Sequence, residues 1–141
     1  MGTRREAREL ALQTLYQLDL TGEDDAGVGV HFGGDPDAVA FARQLVEGVR
    51  SERERIDALI GSASEHWRLP RLSRVDLSLL RLSTFELLAC PDIPASVTID
   101  EAVEIARRFG SEDSAAFVNG VLDAIATSVG AKDKEKAGPP E

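Results

Sequence analysis

The sequence predicts an all-α fold. Apolar residues recur at helical spacing through nearly the whole chain, where five or six helical segments can be traced. No run alternates apolar and polar residues as a half-buried strand does. With 141 residues, 43% of them apolar, the chain is long enough for one domain with a sizeable core. We expect a single compact helical bundle over residues 1–129 and a disordered tail over 130–141.

The first helix is predicted from a capping box, in which Thr3 accepts an early backbone N–H and Glu6 reaches back to it. The helix runs to about Leu20, and Gly22 stands where a left-handed residue commonly ends a helix. The glycine-rich, acidic residues 21–36 then predict a flexible connection.

The middle of the chain predicts two helical segments. Residues 37–67 keep helical apolar spacing through the charged block 50–55, until Leu69-Pro70 ends the segment. Ser73 caps the next helix, which covers residues 74–89 and is apolar on nearly all sides. Such a helix is normally buried at the centre of a bundle.

Four polar residues on this central helix fall on two lines along its axis, one formed by Asp76 and Ser83 and the other by Arg74 and Arg81. Because the rest of the helix is apolar, we expect these lines to mark where it reaches the surface.

Two further helices complete the bundle. Thr98 and Glu101 form a capping box for a helix that ends at Gly110. Ser111 is expected to cap the final helix, which runs to about Val129.

The charge of the chain is unevenly distributed. The net charge is −9, and residues 21–66 alone, with four arginines and ten acids, have a net charge of −6. Positive potential is confined to the start of the chain and to residues 68–81, which contain four arginines.

Enzyme chemistry is not expected. The two histidines have no metal-ligand spacing, and the one cysteine, Cys90, is expected to be a buried apolar residue. The acids Asp100, Glu101 and Glu104 lie at a helix start, where capping accounts for them. We expect no cofactor and no metal. The absence of a long apolar run and of a signal peptide predicts a cytoplasmic protein without a membrane partner.

Arginines at the start of the first helix are candidates for binding RNA phosphates. Arg4, Arg5 and Arg8 lie where the helix dipole mildly disfavours cations. Phosphate contacts would account for them, as would a solvated helix face. In the same helix Tyr16 points away from the apolar side, which indicates either a second core contact or a surface for a protein partner.

The final helix carries an aromatic at the edge of its apolar stripe. Phe117 lies beside Gly120, with Asp113 one turn earlier on the same edge. Phe117 either completes the core or is exposed for stacking against a base. Because glycine is costly inside a helix, we interpret Gly120 as allowing close approach beside Phe117.

Three stretches resemble the NusB family of transcription antitermination factors. They are REARELALQTLY (residues 5–16), IPASVTIDEAVEIA (93–106) and EDSAAFVNGVLD (112–123). The resemblance covers about residues 4–127 in the same order. It implies a helical bundle of six or seven helices without catalytic activity or cofactor.

The resemblance also implies partners. The family binds the boxA element of nascent ribosomal RNA, which is single-stranded, together with the ribosomal protein NusE, and it thereby acts on elongating RNA polymerase. Carried onto this chain, the RNA-binding residues would be Arg4, Arg5, Arg8, Asp113 and Phe117. The residues facing NusE would be Tyr16 and Asp76.

Glu6 interrupts the basic start, which is often more densely basic in the family, and the chain is acidic overall. We therefore expect NusE to supply part of the RNA-binding surface. Two other readings stay open: the RNA-binding module of a ribosomal RNA methyltransferase and a helical adaptor that binds only protein. The sequence also leaves the choice between monomer and homodimer open.

Overall fold

Six helices make up the described part of the chain, for which the computed structural model places residues 3–22, 35–64 and 72–132. Their bounds are α1 (Thr3–Thr21), α2 (Pro36–Ser51), α3 (Arg53–Ala63), α4 (Arg74–Ala89), α5 (Ala95–Phe109) and α6 (Ser114–Ser128). These residues contain no strand, so the all-α prediction is confirmed. Most of the 21–36 connection, the break at Leu69-Pro70 and the tail from residue 133 lie outside the described residues.

Helix α4 is the centre of the bundle. It contacts each of the other five helices, and its Leu79, Leu80 and Leu82 are completely buried. The bounds of α4 agree with the sequence prediction, because Ser73 caps it by accepting the Asp76 backbone N–H at 3.1 Å.

The two polar lines on α4 do not mark an exposed face, so that prediction is wrong. Asp76, Arg81 and Ser83 are all buried, and of the four residues only Arg74 is exposed. Neighbouring helices cover most of α4, and Arg81 compensates its buried charge by donating to both oxygens of Asp57 at 2.9 and 3.1 Å.

The segment predicted as one helix over 37–67 is two helices. The chain turns at Glu52, where φ is −108° and ψ is 19°, and α3 then packs against α4 and α6. Residues 51–55 are all exposed, so no apolar residue there could reveal the change in helix direction. Apolar periodicity cannot detect a break that falls in a solvated stretch.

Two predicted capping boxes are wrong. Thr3 is already helical, and its hydroxyl donates to Asp35 Oδ2 at 3.1 Å. Helix α5 begins after Pro94, so Thr98 lies inside it and donates to Glu86 Oε1 at 3.1 Å. Both threonines have partners distant in sequence, which a local motif does not reveal.

Other helix ends agree with the sequence more closely. Gly22 has a φ of +74° and its N–H bonds to the Leu18 carbonyl at 2.8 Å, as expected for a residue that ends α1. The prediction that Ser111 caps the final helix is wrong, because α6 begins at Ser114 with Asp113 at its N-cap position. The Ser111 N–H instead donates to the Ser114 hydroxyl at 2.9 Å. Ala131 is buried, so packing extends past the predicted boundary at 129.

Candidate nucleic-acid interface

The three arginines at the start of α1 are each held by a carboxylate from another part of the chain. Arg4 is the most exposed of them. Its Nη2 lies 3.3 Å from Asp92 Oδ2, in a pair whose side chains are 50% and 69% exposed. Its guanidinium also lies 5.0 Å from the centroid of the Phe41 ring. Exposed pairs of this kind are weak, so Arg4 is free to change partner.

Arg5 forms a two-pronged ion pair with Glu101 of α5. Its Nε and Nη2 donate to Glu101 Oε1 and Oε2, both at 2.8 Å. The hydrogen bond from Arg5 holds the pKa of Glu101 below its ordinary value, and the same bond raises the pKa of Arg5. Both groups are therefore charged at neutral pH, and their charges cancel.

Arg8 lies inside the fold. Its Nε and Nη2 donate to Glu86 Oε2 and Oε1 at 2.7 and 2.8 Å, and the two side chains are only 3% and 0% exposed. Thr98 supplies Glu86 with a further hydrogen bond. This geometry gives Arg8 a structural role that joins α1 to α4, while its predicted contact with RNA stays a prediction.

Two grooves meet at the Arg5–Glu101 pair. A groove of about 640 Å³ lies beside the start of α1, where Arg4 faces Ile93 and Val97. A second groove, of about 750 Å³, lies between α5 and α6. Arg5 and Glu101 line both grooves. The pair thus stands at the boundary between a basic groove with apolar walls and a more acidic groove.

The predicted residues of α6, Asp113 and Phe117, are not among the residues that line this second groove. Glu112 and Ala116 line it, and Asp113 and Phe117 are their neighbours in sequence. Asp113 is exposed, and its side chain makes no capping bond. Phe117 is half-buried and packs against the core, while its stacking against a base stays a prediction.

Gly120 is exposed and nothing in the described chain approaches it. A Cβ added there would meet no atom within 4 Å, whereas at Gly48 it would lie 2.1 Å from the Phe85 ring. The interpretation of Gly120 as a site of close approach is therefore wrong for contacts within the chain. The packing leaves no room for a Cβ at Gly48, nor at Gly110, where it would lie 2.8 Å from the Ala106 carbonyl oxygen.

Tyr16 lies near the other end of α1, and Asp76 lies in the first turn of α4. Tyr16 is 37% exposed, and Leu20, one turn later, is 56% exposed. The start of α4 lies beside this end, because Arg74 Nη1 donates to the Asp19 carbonyl at 3.2 Å. Asp76 is only 9% exposed, and its buried Oδ1 has no hydrogen-bond partner. The three predicted RNA-binding arginines and Tyr16 thus lie at opposite ends of α1.

The carboxylates that hold the arginines were missed by the sequence interpretation. Asp92 and Glu86 were not singled out, and capping was taken to account for Glu101, which instead lies within α5 and binds Arg5. One signal was available for Glu86. An acid in the middle of a helix that is apolar all round needs a buried cation as partner.

A model of the NusB family matches residues 5–127. The chain belongs to the NusB family. It is 52% identical to the transcription antitermination protein NusB of Myxococcus xanthus (strain DK1622), over 92% of this chain and 98% of that protein. It is 48% identical to the protein of the same name from Geobacter sp. (strain M21), over 96% of this chain and 100% of that protein.

Solved NusB structures share the fold. T. maritima NusB superposes with a TM-score of 0.86 at 41% identity, covering 94% of this chain and 96% of that chain. A structure of the antitermination factors NusB and NusE in complex with double-stranded RNA gives a TM-score of 0.79 at 30% identity, with 91% and 98% covered. The relatives of this NusB-family chain are thus named for transcription antitermination, which is a non-enzymatic role.

None of the helices in the described residues is both long and apolar enough to cross a membrane. Within the same residues, no group of three or more His, Cys, Asp or Glu side chains is placed to hold a metal ion.

Proposed function

We propose that this chain is a transcription antitermination factor that binds boxA-type single-stranded RNA together with NusE. The observation that supports this most directly is the division of α1 into two surfaces. Arg4 and Arg5 lie at its start, beside grooves that lead to α6, and the exposed Tyr16 lies near its end. Twelve residues separate Arg4 from Tyr16, which is about 18 Å along a helix. RNA and a protein partner therefore have room to bind together.

Each end suits its partner chemically. Arginines favour phosphates because their N–H groups form charge-assisted hydrogen bonds with phosphate oxygens. Phe117 offers an aromatic ring on which a base can stack. Tyr16 and Leu20 give an apolar patch, and tyrosine is enriched at protein interfaces. The Oδ1 of Asp76 is buried and unpaired, so it can accept a partner's donor only if its side chain turns outward at the start of α4.

The proposed role needs no catalytic step and no cofactor. It acts on RNA polymerase indirectly, through nascent RNA, and hence in the cytoplasm. The relatives are matched over nearly their whole length and are named as antitermination proteins, which favours this role over the RNA-binding module of a methyltransferase.

The test is RNA binding by the chain alone and mixed with NusE, at two salt concentrations, with boxA RNA and a scrambled RNA of equal length. We expect NusE to increase the affinity for boxA, and added salt to weaken binding by the release of counterions from phosphates. A double-stranded boxA probe should bind more weakly than the single strand. No preference for boxA, with or without NusE, would contradict the proposal.

Variants separate the two surfaces. Charge reversal of Arg4 and Arg5 should weaken RNA binding while helicity and NusE binding stay unchanged. Tyr16→Ala should remove the gain from NusE and leave the affinity of the chain alone unchanged. Phe117→Ala should weaken RNA binding about 5- to 150-fold if one base stacks on the ring, equivalent to about 1–3 kcal/mol.

A protein-only adaptor is the alternative class of function. If the chain is such an adaptor, its binding of NusE should depend on Tyr16. Any binding of RNA should then show no sequence preference. Self-association is checked in the same samples by sedimentation, because a homodimer that covers the arginine end of α1 would compete with RNA.

A further inference from the structure

The Arg5–Glu101 ion pair stands where an RNA strand would pass from one groove to the other, since both residues line both grooves. The Arg5 side chain is 43% exposed, whereas that of Glu101 is 23% exposed. Arg5 can therefore swing toward solvent while Glu101 stays in place. While the two side chains are paired, Glu101 neutralises the charge of Arg5, and the pair attracts a phosphate only weakly.

A second arginine lies behind Glu101. Arg8 Nη1 is 3.8 Å from Glu101 Oε1, while Arg8 Nε and Nη2 are bonded to Glu86. If Arg5 leaves, the carboxylate of Glu101 still faces a cation. Breaking the pair therefore does not leave an isolated charge in a partly buried place, which would otherwise be costly.

We propose that RNA binding at this site is an exchange of ion-pair partners, in which a backbone phosphate takes Arg5 from Glu101 and Arg8 keeps the released carboxylate paired. The inference rests on the proposed function. It makes Glu101 a residue that limits RNA affinity, because every RNA molecule that uses Arg5 must first compete with this carboxylate. It assigns Arg8 a positioning role in RNA binding.

The affinity test compares Glu101→Gln with the unaltered chain, using a fluorescent boxA oligonucleotide and the full chain with and without NusE. Exposed pairs have a modest strength, so we expect the variant to bind about two- to fivefold more tightly. In an Arg5→Gln background the same change should give no gain. An equal gain without Arg5 would overturn the exchange.

Glu9→Gln is the matched control. Glu9 Oε2 pairs with Arg108 Nη1 at 2.7 Å across the same two helices, and the exposures of 20% and 56% resemble those of the Glu101–Arg5 pair. The substitution removes one negative charge near α1 but frees an arginine outside the Arg4–Arg5 cluster. Tightening as large as that of Glu101→Gln would show that only net charge matters, against the proposal.

A more direct measurement uses the unaltered chain and therefore does not depend on whether a variant folds. In a 15N NMR titration of the unaltered chain, the Arg5 Nε–H signal should shift as boxA RNA saturates the protein, because its acceptor changes from carboxylate to phosphate. The Arg8 Nε–H group should stay bonded to Glu86, so its signal should shift much less. An Arg5 signal that stays unchanged at saturation would overturn the exchange. Failure of the unaltered chain to prefer boxA would instead contradict the proposed function itself.

Discussion

Two ion pairs with the same geometry anchor the start of α1, one inside the protein and one at its surface. Arg8 and Glu86 pair at 2.7 and 2.8 Å with side chains 3% and 0% exposed. Arg5 lies three residues before Arg8 on α1. It pairs with Glu101 through two hydrogen bonds of 2.8 Å, and the two side chains are 43% and 23% exposed. Only the surroundings differ.

The difference in burial determines whether an ion pair can lose one of its partners. A buried pair cannot lose one partner without leaving an uncompensated charge in a medium of low dielectric constant. An exposed pair loses little when water or another ion replaces a partner. Arg8 therefore fixes how α1 sits on α4, whereas Arg5 remains available to a ligand.

The largest effect is expected from Arg8→Ala. It leaves Glu86 charged and unpaired in the core, so the free energy of unfolding should fall by about 3–5 kcal/mol. Urea denaturation followed by circular dichroism measures this. Arg4→Ala, on the same helix but exposed, is the control and should cost less than about 1 kcal/mol. Equal losses in the two variants would show that burial does not distinguish the pairs.

Replacing both buried partners should restore most of that loss. Arg8→Met combined with Glu86→Leu removes both charges and fills similar volume, so the double variant should be about 3–5 kcal/mol more stable than Arg8→Met alone. A double-mutant cycle gives the coupling energy. If the losses of the single variants simply add, Arg8 and Glu86 do not act as a pair.

Breaking the surface pair should cost little stability. Arg5→Ala is expected to lower the free energy of unfolding by about 0.2–1 kcal/mol, and the difference from the unaltered chain should shrink as salt is added. Parallel urea titrations at low and high ionic strength measure it. A loss comparable to that of Arg8→Ala would make Arg5 structural.

The smallest effect concerns pH. Arg5 holds the pKa of Glu101 below its ordinary value of 4.5, so the folded state favours the charged form. This stabilisation is present above pH 4.5 and disappears as the pH falls through the lower folded-state pKa. The stability difference between the unaltered chain and Glu101→Gln, at most about 1 kcal/mol for a half-exposed pair, should follow that course. A difference that grows in acid would contradict it.

Local signals predicted much of the fold. The bounds of α4 followed from its cap at Ser73, and the end of α1 followed from Gly22, because both signals act within a few residues. The turn at Glu52 was missed, since its exposed neighbours carry no apolar phase. Prediction was thus reliable where the determining contact was close in sequence.

The candidate site shows the same limit. The arginines of α1 stood out by charge alone, whereas their partners Glu86 and Glu101 lie 78 and 96 residues further on. A single sequence does not reveal which acid reaches which arginine over such distances. Nor could it show that Gly120 faces open space, because that depends on what other helices leave uncovered.

The separation of 78 residues between Arg8 and Glu86 has a consequence for synthesis on the ribosome. At roughly 5–20 residues per second, the end of α1 at Thr21 is made about 3–16 s before the carboxylates of Glu86 and Glu101. During that interval, the side of α1 that will enter the core carries an unmatched positive charge. The first helix to be translated therefore cannot take its final place until most of the bundle exists.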